Sequence, residues 1–327
     1  MSPQSDPSFL SRRQMIRNLG VTGAVLALSP WMQGKSESSS GPDSKPLQLY
    51  KSLSEEQRKK ICLPVDHERR QYVSNWWYVH DEHRIHNTFN SEQQDLIRQI
   101  FDSMHDAEFR DAVSRQVEKD KFGKIGNTPS VGFFGTPEDR DFEFIYTGHH
   151  VTRRCNGHSD QGQGFGGAPI FYGHFDKKFN ETKDHVGNPY WYQGKIFNEF
   201  VQALSGAQQE KALAGVQPRS EKPAAVIRKK AGDWVGLCGA DLSPDQKAKL
   251  LTTMRKMMAM FRKGDIDATM RTIEDKGMID RLFVSYYDGK YDLGNDKVWD
   301  TWQIEGPDMV WYFRGQPHIH TYFHVKA

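Results

Sequence analysis

"WQIEGPDMVWYFRGQPHIHTYFHV", residues 302–325, decides the fold. Aromatic and β-branched residues crowd three short runs, and turn signals at Gly306-Pro307 and Arg314-Gly315 separate them. "RLFVSYYDG", residues 281–289, adds a run that ends at Asp288-Gly289. Consecutive strands joined by such tight turns predict an antiparallel meander. In the last run, alternate residues share a face. His318, His320, Tyr322 and His324 therefore point one way, and Ile319, Thr321, Phe323 and Val325 point the other, which suits a core.

Upstream, the period changes. "SLSEEQRKKI" has serine caps and an acidic first turn, so a helix begins near Ser54. Residues 90–120 predict two helices, with Leu96, Ile97, Ile100, Phe101 and Met104 on one stripe. "SVGFFG" and "DFEFIYTGHHVTRRCNG" read as strands, and "HSDQGQGFGGAP" as a flexible loop. Helix returns over 195–214. It recurs from Ser243 as N-cap and Pro244 in the first turn to Gly264 as stop, and again over "DIDATMRTIEDKG". The expected fold class is α+β, with helical hairpins packed on a mostly antiparallel sheet that ends in a C-terminal β-meander.

The chain has 327 residues and a net charge of +2. Its first 34 residues hold Arg12, Arg13 and Arg17 against Asp6, so the remainder is close to neutral. Such a body has no electrostatic reason to bind nucleic acid or an anionic membrane. Paired arginines before the short apolar run "LGVTGAVLALS" predict a twin-arginine signal peptide over 1–34. The run is shorter than the ~20 apolar residues that span a bilayer, so membrane contact is expected only through the leader, should it stay uncleaved. A flexible polar linker over 35–50 and a single domain over 51–327 complete the expected organisation. The twin-arginine export machinery is the implied partner, and the periplasm or the extracellular space the implied location. Cys62, Cys155 and Cys238 form no close pair, which excludes a thiolate-rich zinc or iron–sulfur centre.

Two imidazoles at i and i+2 on a strand can hold one ion, so His318 and His320 predict a metal site. His324 lies about 20 Å from His318 at ~3.3 Å per residue, too far to join them on a straight strand. The alternative for this face is the polar side of an edge strand. His149 and His150 follow Gly148 in another strand-like run. Adjacent strand residues face opposite ways, so one of the two is expected at a shared site unless Gly148 introduces a bulge. If the register holds through these residues, Phe142, Phe144 and Tyr146 share a face that His150, Thr152 and Arg154 continue. His158 and His174 are further ligand candidates that each read more simply as loop residues, and His80, His83 and His86 read as solvated surface.

Glu305 precedes the histidines on the meander and is a candidate general base or orienter of an imidazole. Tyr322 is a candidate redox participant, and Arg154 and Arg314 are candidates for clamping an anionic substrate. "QGQGFGG" lacks the lysine and hydroxyl residue of a phosphate loop, and no nucleophile elbow is present.

Five stretches, in this order, resemble the DUF3500 family of exported bacterial proteins: "FFGTP", "FEFIYTGHHVT", "APIFYGH", "GLCGADLSPDQKAKLL" and "WQIEGPDMVWYFRGQPHIHTYF". The resemblance covers Leu53 to the C-terminus and is most specific at Gly148-His149-His150 and His318-x-His320, with Glu305 at an acidic position before them. It implies that the two histidine clusters form one site and implies no reaction. The expected function is an exported metal-dependent enzyme acting on a small extracytoplasmic molecule. Copper, iron or zinc is held by His149, His150, His318 and His320, and the chemistry leans to redox. A zinc-dependent hydrolase and a non-catalytic metal- or carbohydrate-binding protein are the competing readings.

Overall fold

A computed structural model describes residues 44–120, 128–138, 141–156, 164–174, 188–216, 221, 227, 232, 234–288 and 301–326. The expected leader and most of the linker lie outside them, as does His158. Nine α-helices are found among the described residues. They are α1 (Lys45–Ser52), α2 (Glu55–Ile61), α3 (Ile85–Thr88), α4 (Ser91–Ser103), α5 (Arg110–Lys119), α6 (Trp191–Gln202), α7 (Gly206–Ala212), α8 (Pro244–Met257) and α9 (Lys263–Asp275). None is long and apolar enough to cross a membrane.

The helix starts obey their caps. Ser54, Asn90, Ser205 and Ser243 each accept from the backbone N–H three residues on, and a glutamine there returns the bond. Gly264 does not stop a helix as expected. α8 ends at Met257, and Gly264 sits in the first turn of α9, which terminates instead at the left-handed Gly277.

Among the described residues, eleven strands form one sheet: β1 (Cys62–Leu63), β2 (Ser130–Phe134), β3 (Glu143–Gly148), β4 (Val151–Cys155), β5 (Ile170–Gly173), β6 (Leu213–Val216), β7 (Leu237–Cys238), β8 (Phe283–Asp288), β9 (Thr301–Gly306), β10 (Met309–Arg314) and β11 (His320–Val325). The order is β1-β2-β3-β4-β5-β11-β10-β9-β8-β6, with β7 also on β8. Among the described strands, only β1·β2 and β6·β8 pair in parallel. The expected α+β class and C-terminal meander are both present. A second meander, β2 to β5, stands beside the first, and β5 pairs with β11 to join them. The histidine strand is therefore central, not an edge.

Both sheet faces are covered. Trp302, Phe313 and Tyr172 lie on the helical side, where Phe197 of α6 stacks on Trp302 at 4.5 Å and Phe261 packs on Tyr172 at 5.6 Å. Residues 73–79 cover the other side, with Val73 against Phe171, Tyr312 and Tyr322, and Trp77 and Val79 against Phe134 and Ile145. The stretch Gly164–Gly167, expected as flexible, is a short 3-10 turn whose Phe165 is buried against Phe261 and Phe323.

Arg154 is buried on β4 and is wholly engaged. It donates to the Glu143 carboxylate, to the Pro169 carbonyl at 2.7 Å and to the Tyr72 carbonyl at 2.7 Å. Its place is structural, away from any clamp on an anionic substrate. Burial raises the Glu143 pKa and the Arg154 charge opposes that rise. Removing one partner of such a buried pair leaves an uncompensated charge. Arg154→Met should cost about 3–5 kcal/mol of unfolding free energy, read from denaturant midpoints. A loss within experimental error would mean that Glu143 is held by Arg70 alone, whose Nε lies 3.4 Å from Glu143 Oε2.

Candidate metal centre

Gly148 pairs with Val151 across β3 and β4, so His149 and His150 are the two residues of a hairpin turn. His150 takes φ 56° there. This overturns the expected strand register. A two-residue turn pairs an even residue with an odd one, so Tyr146 stands opposite Arg153 and shares its face. Thr152 and Arg154 share the other face with Thr147 and Ile145. The turn also lets both histidine rings point the same way: they stack 3.8 Å apart.

The end of β5 and the start of β11 meet this turn. Gly173 donates its N–H to the His150 carbonyl at 3.1 Å and is paired with His320. A Cβ on Gly173 would fall 2.4 Å from the Ile319 carbonyl oxygen and 3.3 Å from the His150 ring. Glycine there is what allows the ring to lie against the strand.

His150, His318 and His320 are buried and offer ligand atoms that all lie within 4.8 Å of one another. The Nε2 of His320 is 3.0 Å from that of His150 and 2.9 Å from that of His318. The other nitrogens are anchored. His150 Nδ1 lies 2.8 Å from Asp120 Oδ2, and His320 Nδ1 lies 2.7 Å from Glu221 Oε2. A carboxylate accepts, so both Nδ1 atoms carry the proton and both Nε2 atoms carry lone pairs. Two lone pairs thus face each other at 3.0 Å in a buried site. A cation between them removes that repulsion. Two nitrogens bound at ~2.1 Å and roughly 90° apart would be about 3.0 Å from one another. The group can hold a metal ion.

Charge agrees. Asp120 and Glu221 as carboxylates, Arg314 as a guanidinium and three neutral imidazoles sum to a formal −1 (two minus charges, one plus). Arg314 Nη1 lies 2.5 Å from Glu221 Oε1, and its Nε and Nη2 lean on the His318 carbonyl at 3.4 and 3.3 Å. It positions the ligand strand and the carboxylate, and so is spoken for as an anion clamp. Asp120 Oδ2 also accepts from Gln116 Nε2 at 2.7 Å, and Tyr190 donates to Gln116 Oε1 at 2.6 Å.

The remaining expected residues fall around this trio. His149 lies in a second group with Asp120 and His150, its Nδ1 3.1 Å from the Asp120 carbonyl. Tyr322 is buried on the site face and donates to Glu221 Oε2 at 3.5 Å. His324 is buried further along that face. Glu305 is not at the site. It pairs with Val310, which pairs with His324. Two strand spacings of ~4.8 Å and four residues at ~3.3 Å place it roughly 16 Å from His320. The orienting role expected of it falls to Asp120 and Glu221, which sequence reading missed. One signal for Asp120 was available. It caps the C-terminal end of α5, where the helix dipole disfavours a carboxylate, so it needs a partner elsewhere. His80, expected on the surface, is buried and lies 3.2 Å from the Ile61 carbonyl.

Burial is the first cause that lowers these histidines. His318 is pushed down to about 3, and His80 and His324 to about 4. His150 and His320 are held well below the usual imidazole range, with Arg314 adding to the effect. All are neutral when folded and take up protons on unfolding below about pH 6.5. Stability is therefore full above pH 6.5 and falls as pH drops toward 4. A thermal denaturation series should show the melting temperature dropping across that window, more steeply than one histidine allows. A flat profile from pH 7 to 4 would contradict the burial of these rings as neutral groups.

The family model described as "Protein of unknown function (DUF3500)" matches residues 45–326. No curated protein and no solved structure matches.

Proposed function

The chain belongs to the DUF3500 family, and we propose that it is an exported metal-dependent enzyme with His150, His318 and His320 as its ligands. The observation that carries this reading is the convergence of three Nε2 atoms, with the Nδ1 of His150 and of His320 each fixed by a carboxylate. Carboxylate–histidine pairs of this kind set the tautomer and raise ligand basicity. All-imidazole ligation suits copper, iron(II) or zinc. Bound, such an ion supplies either electron transfer or polarisation of a ligand oxygen.

The chain's own groups favour redox over hydrolysis. Hydrolysis calls for a proton carrier beside the ion. Glu305 is too remote for that role, and both near carboxylates are committed to imidazoles. Tyr322 instead places a phenol on Glu221, two residues along from His320 and next to the carboxylate that orients it. Folded export through the twin-arginine route fits a protein that takes its cofactor before leaving the cytoplasm.

Metal analysis of protein from the exported pool tests the reading. One equivalent of a transition metal is expected, and His320→Ala should lose it. Asp120→Asn and Glu221→Gln should keep the fold and weaken the metal by about 10–100-fold. Azide should perturb the spectrum of the native or cobalt-substituted protein if a coordination position is open to ligand. Metal-free protein that takes up no ion on titration would overturn the assignment. Full occupancy without an azide response would favour the non-catalytic binding protein.

A further inference from the structure

A cleft of about 650 Å³ lies beside the histidines, lined by Glu68, Arg69, Tyr72, Trp76, Trp77, Tyr78 and Asp81. Ligand sites generally occupy about 300–1,000 Å³ and combine aromatic walls with a few placed polar groups. Four rings and three charged side chains meet that description.

The cleft is joined to the metal centre. Trp76 forms a backbone bridge to His149, and their rings lie 4.9 Å apart. His149 stacks on His150 at 3.8 Å. The backbone carbonyl of Asn75 accepts from the His150 N–H at 2.9 Å. Each end of the series from the cleft to His150 is thus fixed by main chain as well as by rings.

Trp76 is held and yet open. Its Nε1–H donates to the Tyr78 hydroxyl at 3.1 Å, which ties up the polar edge of the indole. The residue is still 52% exposed, and Tyr72, edge-on to Trp77 at 4.9 Å, is 51% exposed. Two large rings half in water and braced from behind form a platform. Most other aromatic side chains of this protein are buried.

We propose that this cleft binds a neutral saccharide, with a sugar ring laid on the Trp76 indole and its hydroxyls on Glu68, Asp81 and Arg69. The apolar C–H face of a pyranose matches an aromatic plane, and its rim of hydroxyls needs acceptors and donors together. The carboxylates repel an anionic ligand. A quaternary ammonium group is the natural competitor for aromatic walls with carboxylates. Here Arg84 already sits 3.2 Å over the Tyr78 ring, Arg69 adds a second positive charge, and the open rings form a floor, not a cage. That the saccharide is also the substrate of the metal centre rests on the function proposed above. Its binding does not.

The test titrates the full chain, metal-stripped and metal-loaded, with cellotetraose, xylotetraose and maltotetraose. Calorimetry and tryptophan fluorescence report binding. At least one tetrasaccharide should bind both forms and change the fluorescence. Trp76→Ala and Tyr72→Ala should each weaken it about tenfold or more. The melting profile and metal content of both variants should stay like the parent's, and Trp76→Phe should retain most of the affinity. Three results would overturn the proposal: no binding of any of them at ~10 mM, affinity unchanged in both alanine variants, or binding of tetramethylammonium in their place. Saccharide binding by a protein that takes up no metal would leave the cleft assigned and remove only its link to the ion.

Discussion

Four backbone pairs, from Phe323 opposite Ile170 to His320 opposite Gly173, close the seam between the two meanders. Without that seam each half exposes an edge of unpaired N–H and C=O groups. The seam also gathers the histidines. It brings the start of β11 to the end of β5, and β5 in turn holds the β3–β4 turn through the Gly173–His150 hydrogen bond. A residue larger than glycine opposite His320 would meet both the Ile319 carbonyl and the His150 ring. Sheet closure and assembly of the histidine group are one event.

The group is built by exclusion of water as much as by attraction. Burial keeps the imidazoles neutral and so leaves their lone pairs available. The same burial makes an uncompensated carboxylate costly, which is why Glu221 leans on Arg314 as well as on His320. The three imidazoles, the carboxylates that orient two of them and the Arg314 charge are all assembled in one buried place.

Much of this was legible because it is local. Alternation put His318 and His320 on one face, and serine caps marked the helix starts at Ser54 and Ser243. What failed was set by one turn or by long-range contacts. A strand reading carried through Gly148 assigns His150 a face. The chain instead turns there, which shifts parity between β3 and β4 and reassigns Arg154 to a buried ion pair with Glu143. Asp120 and Glu221 stand 30 and 99 residues from the histidines they hold, and no periodicity links such positions. Glu305 looked close because it precedes the histidines by few residues, but strands of a meander step sideways, and two steps take it out of reach.

The place of β11 bears on the order of synthesis. It leaves the ribosome after the other ten described strands, yet it fills the middle of the sheet. The β2–β5 meander and the β8–β10 hairpins can form while translation continues, each with one open border. The gap between them waits for the last of these strands to be released, and the 170 residues between His150 and His320 are bridged only then. The histidine group is therefore complete only once the last of these strands has joined the sheet.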